Sequence, residues 1–325
     1  MTDAGKANLK GAGMALVAFG IFASHDTIVK VLGGSYSTFQ IVFFSVLLGF
    51  PIVALMLMRD HTVGTLIPVH PWWSALRTLA VVVTGSSAFF AFSELPLAQV
   101  YAILFATPLL ITILSIPVLG ERVGLHRWSA VALGLAGVLI VLRPGTTELT
   151  LGHAAALTAA LGGATAAVVV RKIGKDERRP VLLLYPMMAN FFLMGALLPF
   201  VYEPVPLGDL GLMAMIAVLG LVGTTCMIGA YKLGDAASVA PMQYSQILWA
   251  AGYGALFFGE LPDAATWIGA AVIVVSGLYI LLRESLSGNS RTTPVFNTKS
   301  RPETGVTPRV SALQMDEKDS DENRR

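Results

Sequence analysis

The sequence is poor in charge, since only 13% of its 325 residues are Asp, Glu, Lys or Arg. A soluble domain carries charges at about a quarter of its positions, whereas here 55% of the residues are hydrophobic and the mean hydropathy is +0.70. The few charges are grouped in short bursts between long apolar runs. This composition excludes a soluble globular protein and indicates membrane-spanning helices, because a helix satisfies its own backbone hydrogen bonds within lipid.

Motifs that carry catalysis or bind metals are also absent from the sequence. It contains no Gly-x-x-x-x-Gly-Lys-Ser/Thr loop, which argues against nucleotide hydrolysis by this chain. It has no His-Glu-x-x-His motif and no cysteine cluster, and its single cysteine, Cys226, excludes an internal disulfide. We therefore predict that the protein is not an enzyme and uses no cofactor or metal.

Ten apolar stretches are each close to the length of about 20 residues that crosses a bilayer. They lie at 10–32, 37–58, 72–94, 97–119, 125–143, 151–172, 180–202, 210–231, 237–258 and 264–283. After Arg283 the composition changes to Ser, Thr, Pro, Asn and mixed charges, which cannot bury enough surface to fold. We predict an all-α polytopic membrane protein with ten transmembrane helices and a disordered cytoplasmic tail at 286–325.

The basic residues are distributed unevenly among the loops, which predicts the orientation of the chain. With a cytoplasmic N-terminus, the inner loops and helix ends carry Lys6, Lys10, Arg59, Arg122, Arg127, Arg171, Lys172, Lys175, Arg178, Arg179, Lys232 and Arg283. The outer loops carry Arg143, and Lys30 lies at the outer end of the first span. We therefore expect both termini in the cytoplasm and the protein in the cell inner membrane.

The two halves of the chain resemble each other without a gap. A shift of 139 residues aligns Gly120-Glu121 with Gly259-Glu260 and Trp128 with Trp267, and a shift of 141 aligns Gly11 with Gly152 and Lys30 with Arg171. Each half holds five spans, and an odd number places the second half upside down, as in many secondary transporters. We predict a first repeat at 1–145 and an inverted second repeat at 146–285.

Each repeat ends with the same pattern: an apolar helix, the pair Gly-Glu, and a last helix that has Trp near its start and glycines along its length. In the first repeat these residues are Gly120-Glu121, Trp128, Gly134 and Gly137, and in the second they are Gly259-Glu260, Trp267 and Gly269. The pattern resembles the EamA family of the drug/metabolite transporter superfamily, from Lys10 to about Arg283. The resemblance implies alternating access around a central cavity lined by spans one, three, four, six, eight and nine.

Three stretches resemble a proteobacterial subgroup that includes riboflavin importers and S-adenosylmethionine importers. They are 26–30, 40–44 and 244–249. Two positions depart from that subgroup, which usually has arginine where this chain has Ser45 and often has an acid where it has Gln243. Both departures remove charge from cavity positions that the resemblance implies, so they bear on the substrate.

The first span carries an acid and a base that need a partner or a cavity, because a charge at mid-bilayer costs about 2.5–3.5 kcal/mol on insertion scales. Asp26 and Lys30 are four residues apart, acid first, which favours pairing on a helix. One interpretation is mutual neutralisation, with Lys30 reaching the outer surface. The other makes Asp26 a substrate or proton contact, beside His25, which titrates near neutral pH when unperturbed.

The ninth span carries polar and aromatic side chains on one helical face: Met242, Gln246, Trp249 and Tyr253, with Gln243 at the edge. These groups are unfavourable against lipid, so the stripe faces either a cavity or another helix. As a cavity wall it suits a flat polar heterocycle. Phe90 on the third span and Tyr101 on the fourth complete the predicted substrate-binding set.

We predict a secondary transporter of a small polar metabolite, with riboflavin uptake as the first candidate. S-adenosylmethionine uptake and efflux of an amino acid or other metabolite are alternatives, and a channel or a membrane-embedded enzyme would be a different class. Coupling to protons would use Asp26; exchange without it is equally open. The expected partners are the substrate and the lipid bilayer, with a homodimer as an open alternative to a monomer and no nucleic acid.

Inverted repeats make a testable prediction of topology. Cysteines introduced next to Glu121 and next to Glu260 should be labelled from opposite membrane faces by an impermeant thiol reagent, because five predicted spans separate them. A Cys226→Ser background without introduced cysteines is the unlabelled control. Labelling of both sites from one face would overturn the inverted arrangement.

Overall fold

The computed structural model describes residues 3–58, 66–120, 124–144, 148–174, 176–234 and 236–286, and every regular element in these ranges is helical. The α-helices are α1 (Asp3–Gly33), α2 (Thr38–Met58), α3 (Pro71–Glu94), α4 (Leu97–Leu104), α5 (Thr107–Leu119), α6 (Leu125–Leu142), α7 (Leu151–Ile173), α8 (Arg179–Val201), α9 (Leu207–Leu233), α10 (Ala236–Val239), α11 (Gln246–Tyr253) and α12 (Ala264–Leu286). A 3-10 segment (Ala240–Ser245) joins α10 to α11, and a π-helical turn (Gly254–Phe258) follows α11.

Each predicted span falls on a helical segment of the described residues. Six segments in these ranges are long and apolar enough to cross a bilayer: Ala7–Gly33, Pro71–Glu94, Leu97–Leu119, Leu151–Ile173, Pro180–Val201 and Leu207–Leu233. The all-helical membrane class is therefore confirmed, while the count of ten crossings stays a prediction. Residues 287–325 of the predicted tail, and Glu121, lie outside the described residues.

The fourth and ninth spans are interrupted helices rather than continuous ones. Pro108 lacks an N–H and its ring clashes with the carbonyl four residues earlier, so the helix breaks between Leu104 and Thr107. The Thr107 hydroxyl donates to the freed Leu104 carbonyl at 2.6 Å. In the ninth span the 3-10 segment begins at Ala240, next to Pro241. Both helices are therefore interrupted next to a proline.

Local backbone conformation repeats at the 139-residue offset found in the sequence. Leu95 and Gly234 end α3 and α9 in the same extended conformation, each donating its N–H to the carbonyl four residues earlier. Gly120 and Gly259 both have left-handed backbones, with φ of 71° and 66°. Glycine adopts this conformation without steric cost, which explains why both positions hold it.

Helix pairs hold the halves together, and each of these pairs combines a helix of the first half with a helix of the second. α1 packs along α9, α3 along α7, α2 against α8 and α6 against α12. The α6–α12 pair approaches most closely at two glycines: a Cβ added to Gly137 would lie 2.9 Å from the Gly269 carbonyl oxygen, and one added to Gly269 would lie 2.7 Å from that of Gly137. These glycines therefore allow the two helices to pack closely.

This packing predicts that Gly269→Ala destabilises the protein. The added methyl group has no room against the Gly137 backbone, and such overpacking costs about 1–3 kcal/mol. The apparent unfolding temperature in detergent should therefore fall by several degrees. Gly13→Ala is the matched control, because a Cβ there meets nothing within 4 Å; equal unfolding temperatures for the two variants would contradict the prediction.

Candidate functional site

A chain of hydrogen bonds between buried polar side chains lies at the centre of the bundle. Asp26 on α1 and Gln246 on α11 have no exposed surface, and Tyr101 on α4 is 1% exposed. The Tyr101 hydroxyl donates to Asp26 Oδ2, Gln246 Nε2 donates to the Tyr101 oxygen at 3.3 Å, and His25 Nδ1 lies 2.7 Å from Asp26 Oδ1. We call His25, Asp26, Tyr101 and Gln246 the central cluster. It joins both halves, because Gln246 belongs to the second.

The central cluster offsets the cost of burying a carboxylate. Hydrogen bonds to a charged group each contribute about 1.5–3 kcal/mol, so the Tyr101 hydroxyl and the His25 ring together match the penalty of an isolated acid within the membrane. Gln246 differs, because its Oε1 atom is buried and has no hydrogen-bond partner among the described residues. Such an atom costs about 1–3 kcal/mol unless a ligand or water satisfies it.

Aromatic rings hold the central cluster in place. The Tyr101 ring lies between Phe92 and Phe105, with centroid distances of 5.5 Å and 6.2 Å. Phe105 in turn meets Tyr244 edge-on at 5.2 Å, and these two residues are equivalent under the 139-residue shift. The contact therefore lies between the interruptions of the two helices. Packing of this kind fixes the Tyr101 ring.

Lys30 is not paired with Asp26, so the interpretation in which these two residues neutralise each other is wrong. The Lys30 ammonium is buried and donates to the Leu95 carbonyl at 2.6 Å, and it forms an ion pair with Glu260 Oε1 at 3.0 Å. It also lies 5.1 Å from the centre of the Phe258 ring. Lys30 thus ties α1 to the end of α3 and to the turn before α12.

The polar stripe of the ninth span packs against α1 in this conformation. Trp249 covers Gly20, where an added Cβ would come within 3.2 Å of the indole, and the Ser24 hydroxyl donates to the Tyr253 oxygen at 3.0 Å. Met242 lies in the 3-10 segment, so the stripe is not one continuous α-helical face. The stripe is interhelical here, and its role as a cavity wall stays a prediction.

The structure brings some of the predicted site residues together and leaves others apart. Four of them meet in the central cluster: His25, Asp26, Tyr101 and Gln246. Trp249 and Tyr253 lie beside this cluster, against α1. The other three lie apart from it: Lys30 pairs with Glu260, Gln243 is buried in the 3-10 segment, and Phe90 is half-buried on α3. The phenylalanine that contacts His25 is Phe89, the neighbour of the predicted Phe90, and the two rings meet edge-on at 5.8 Å.

A cavity of about 500 Å³ lies between α3 and α8, away from the central cluster. Its lining is mostly apolar and includes Leu79 and Leu193, with Ser74 and Tyr185 among the polar groups. Near the same end of α3, the Arg77 guanidinium is buried and donates to the Leu182 carbonyl of α8. The position of Arg77 near a helix end would suggest that it reaches the lipid headgroups. Instead, its side chain joins α3 to α8.

Two contacts at the ends of the helices also join the halves. Tyr36 donates to Asp209 at 2.5 Å, and this hydrogen bond to a carboxylate raises the pKa of Tyr36 to about 12. Asp263 accepts from the Thr266 N–H at the start of α12 and pairs with Arg143; the bonds from Thr266 and Arg143 hold the pKa of Asp263 below its usual value. Asp263 therefore stays ionised at neutral pH and keeps its contacts.

The model of the EamA-like transporter family matches the chain twice, at residues 9–143 and 150–283. The chain belongs to this family. The resemblance expected from the Gly-Glu and Trp motifs is confirmed, as is the two-repeat organisation of an EamA protein. The protein is therefore a multi-pass membrane protein and a metabolite transporter.

Curated relatives of this EamA protein carry different substrates. An S-adenosylmethionine uptake transporter of Rickettsia felis is 26% identical over 87% of this chain and 96% of its own length. A riboflavin transporter of Rhizobium johnstonii is 30% identical over 66% of this chain and 72% of its own length. A pseudopaline exporter of Pseudomonas aeruginosa is 26% identical over 82% of this chain and 94% of its own length. The three relatives therefore differ in substrate, and they include both an uptake transporter and an exporter.

A protein of known crystal structure is also similar to this chain. It is 22% identical, with a TM-score of 0.54 over 87% of this chain and 99% of that chain. At this level of identity the likeness shows the fold alone.

The Lys30–Glu260 ion pair predicts an asymmetric effect of removing its charges. The Lys30 side chain is 8% exposed and that of Glu260 is 28% exposed, so Glu260→Gln leaves a buried ammonium without a carboxylate. Loss of one partner of a buried pair costs up to about 3 kcal/mol, and the double variant Lys30→Met with Glu260→Gln should recover most of it. Thermal unfolding in detergent measures both.

Arg143→Gln is the matched control for that measurement. Arg143 and Asp263 form a pair whose side chains are 37% and 46% exposed, and exposed pairs contribute less than about 1 kcal/mol. If Arg143→Gln destabilised the protein as much as Glu260→Gln, burial would not be the source of the effect.

Proposed function

We propose that the protein is a secondary transporter that imports a small polar metabolite across the inner membrane by alternating access. The observation that carries this proposal is the central cluster, a buried polar site built from both halves of the chain. Alternating access needs such a site between two bodies that move against each other. Riboflavin is the first candidate for the substrate.

The packing of the halves supports an inverted repeat with ten crossings. Exchanging the halves converts the α1–α9 pair into the α7–α3 pair, and both pairs are extensive. The close approach of Gly11 to Gly234 has its counterpart in that of Gly152 to Leu95, at the offsets of 141 and 139 residues. Contacts that interconvert in this way are expected from a pseudo-two-fold axis in the membrane plane.

Polar contacts between the halves at both ends of the bundle support an occluded conformation. At the end where α1 finishes, Lys30 pairs with Glu260, and the Gln40 amide bonds the Glu203 backbone at 2.7 and 2.9 Å. At the opposite end, Glu177 accepts from the His70 N–H at 2.6 Å and from the Ser74 hydroxyl. The basic loops predict that the first end faces outward, so import requires the outer contacts to open first.

Asp26 is the group that we assign to proton coupling. It is fully buried, lies within a membrane helix and contacts the one histidine of that helix, whose side chain is 12% exposed. Intramembrane acids with such partners mark proton and substrate pathways. Proton entry through His25 to Asp26 follows from the greater exposure of the imidazole.

Riboflavin is supported by the chemistry around the central cluster and by the riboflavin transporters among the relatives. Once the ninth span separates from α1, the amides of Gln243 and Gln246 and the rings of Trp249 and Tyr253 would suit a flat heterocycle that carries many hydrogen-bonding groups. S-adenosylmethionine is the second candidate, because four relatives with that transport activity align over nearly their whole length. For that substrate, Asp26 would balance the sulfonium charge.

The proposal is tested in proteoliposomes with labelled riboflavin and labelled S-adenosylmethionine in parallel. We expect saturable, proton-driven accumulation of one substrate, recovered chemically unchanged, and not of the other. Asp26→Asn should abolish accumulation but preserve exchange of labelled for unlabelled substrate, because only the titratable group is lost. Tyr279→Phe, exposed on α12, is the control. If neither compound showed saturable transport, the assignment of substrate would be overturned. Accumulation of substrate by Asp26→Asn would overturn the assignment of proton coupling to Asp26.

A further inference from the structure

We propose that Tyr101 relays the protonation of Asp26 to the amide of Gln246 and thereby switches the group that the site presents to its substrate. The inference rests on the proposed function and specifies how a proton changes substrate affinity in the central cluster. Asp26 and Gln246 do not bond each other; the Tyr101 hydroxyl stands between them.

The direction of each hydrogen bond follows from the number of protons available. An ionised carboxylate only accepts, so the single proton of Tyr101 points to Asp26 Oδ2. The phenolic oxygen is then left as an acceptor, and the group of Gln246 that faces it must be the Nε2 donor, as observed at 3.3 Å. The Gln246 oxygen consequently points away from Tyr101, which explains why it is buried without a partner among the described residues.

Protonation of Asp26 reverses this arrangement. Because the His25 Nδ1–H occupies Oδ1, the added proton sits on Oδ2 and is donated to the Tyr101 oxygen. The hydroxyl of Tyr101 must then rotate toward Gln246, whose amide turns to accept with Oε1 and directs its N–H groups into the site. One proton enters at Asp26, and the O–H bond of Tyr101 never breaks.

The consequence is a change in what the site recognises. With Asp26 ionised, Gln246 presents an acceptor, and with Asp26 protonated it presents a donor. A substrate that enters together with a proton must bind the protonated form, so it should offer a carbonyl oxygen or a ring nitrogen to Gln246. The relevant substrate class is therefore a heterocycle with acceptor atoms on one edge.

The charged and titratable groups near Asp26 have partners of their own. On α1, His25 bonds Asp26, and Lys30 is engaged by Glu260 and the Leu95 carbonyl. From α11, Tyr253 accepts from Ser24. Two residues that approach the His25 ring, Phe89 of α3 and Gly220 of α9, are not titratable; an added Cβ at Gly220 would lie 3.9 Å from the ring.

The first test is the pH dependence of riboflavin binding, followed through quenching of flavin fluorescence by the reconstituted full-length protein. In the wild type, affinity should rise as pH falls, by at most about tenfold per pH unit for one proton. Tyr101→Phe should bind with an affinity that no longer depends on pH. Asp26→Asn, whose amide N–H donates to Tyr101 as a protonated acid does, should hold the high affinity at every pH.

A second measurement does not need the ligand to be known. Infrared difference spectra of protein with isotope-labelled glutamine side chains, recorded across a pH step, should show one glutamine carbonyl band shifting together with the Asp26 carboxyl band. Gln246→Leu identifies that band by removing it. In Tyr101→Phe the carboxyl band should remain and the glutamine shift should vanish.

The outcomes separate this inference from the proposed function. A glutamine band that still shifts in Tyr101→Phe, or binding by that variant with the wild-type pH slope, would overturn the relay and leave proton-coupled transport standing. A wild-type protein that neither binds nor accumulates riboflavin would overturn the substrate, while the infrared result would still decide the relay.

Discussion

A carboxylate in the middle of a membrane helix must find its hydrogen-bond donors inside the protein, and the placement of Asp26 imposes this on the bundle. The donors come from its neighbour His25 and from Tyr101 of α4, and Tyr101 is fixed in turn by Phe92 and Phe105. Gln246 completes the chain from the second half. The need to satisfy one buried charge thus links α1, α4 and α11, the elements on which the proposed transport site depends.

The duplicated halves share a fold without sharing this chemistry. Under the repeat shifts, Asp26 corresponds to Ala167, Tyr101 to Ala240 and Gln246 to Thr107. Ala167 lies in an apolar cluster with Ile111 and Val168. The polar groups of the central cluster are therefore not repeated at the equivalent positions of the other half. The cluster lies to one side of the contact between Phe105 and Tyr244, which are equivalent under the 139-residue shift. A substrate bound at this site would therefore meet different chemical groups from the two halves.

Much of the fold was predictable from sequence because the forces that set it are local. Length and apolar content located the helical segments, and Pro108 and Pro241 marked the interruptions. The site was only partly predictable. Asp26 and Gln246 stood out as polar groups within apolar spans, yet their link through Tyr101 crosses 75 and 145 residues of chain. The Lys30–Glu260 pair could not be foreseen from sequence, because Asp26 lies four residues before Lys30 and is the partner that helical spacing favours. Tertiary packing instead places Glu260 next to the Lys30 ammonium.

The contacts that close the two ends differ in kind, and the difference bears on the order of opening. At the end where α1 finishes, an ion pair and an amide bridge the halves, both able to exchange protein partners for water as they separate. At the other end, Glu177 is buried against the α3 terminus, and one of its carboxylate oxygens has no partner among the described residues. Separation there hydrates an atom that is already unsatisfied, which lowers the cost of breaking its remaining bonds. Glu260 Oε2 at the Lys30 end is likewise buried without a partner among the described residues, so opening of either end gives back part of a desolvation cost. Opening of the Lys30 end additionally separates a buried ammonium from its carboxylate.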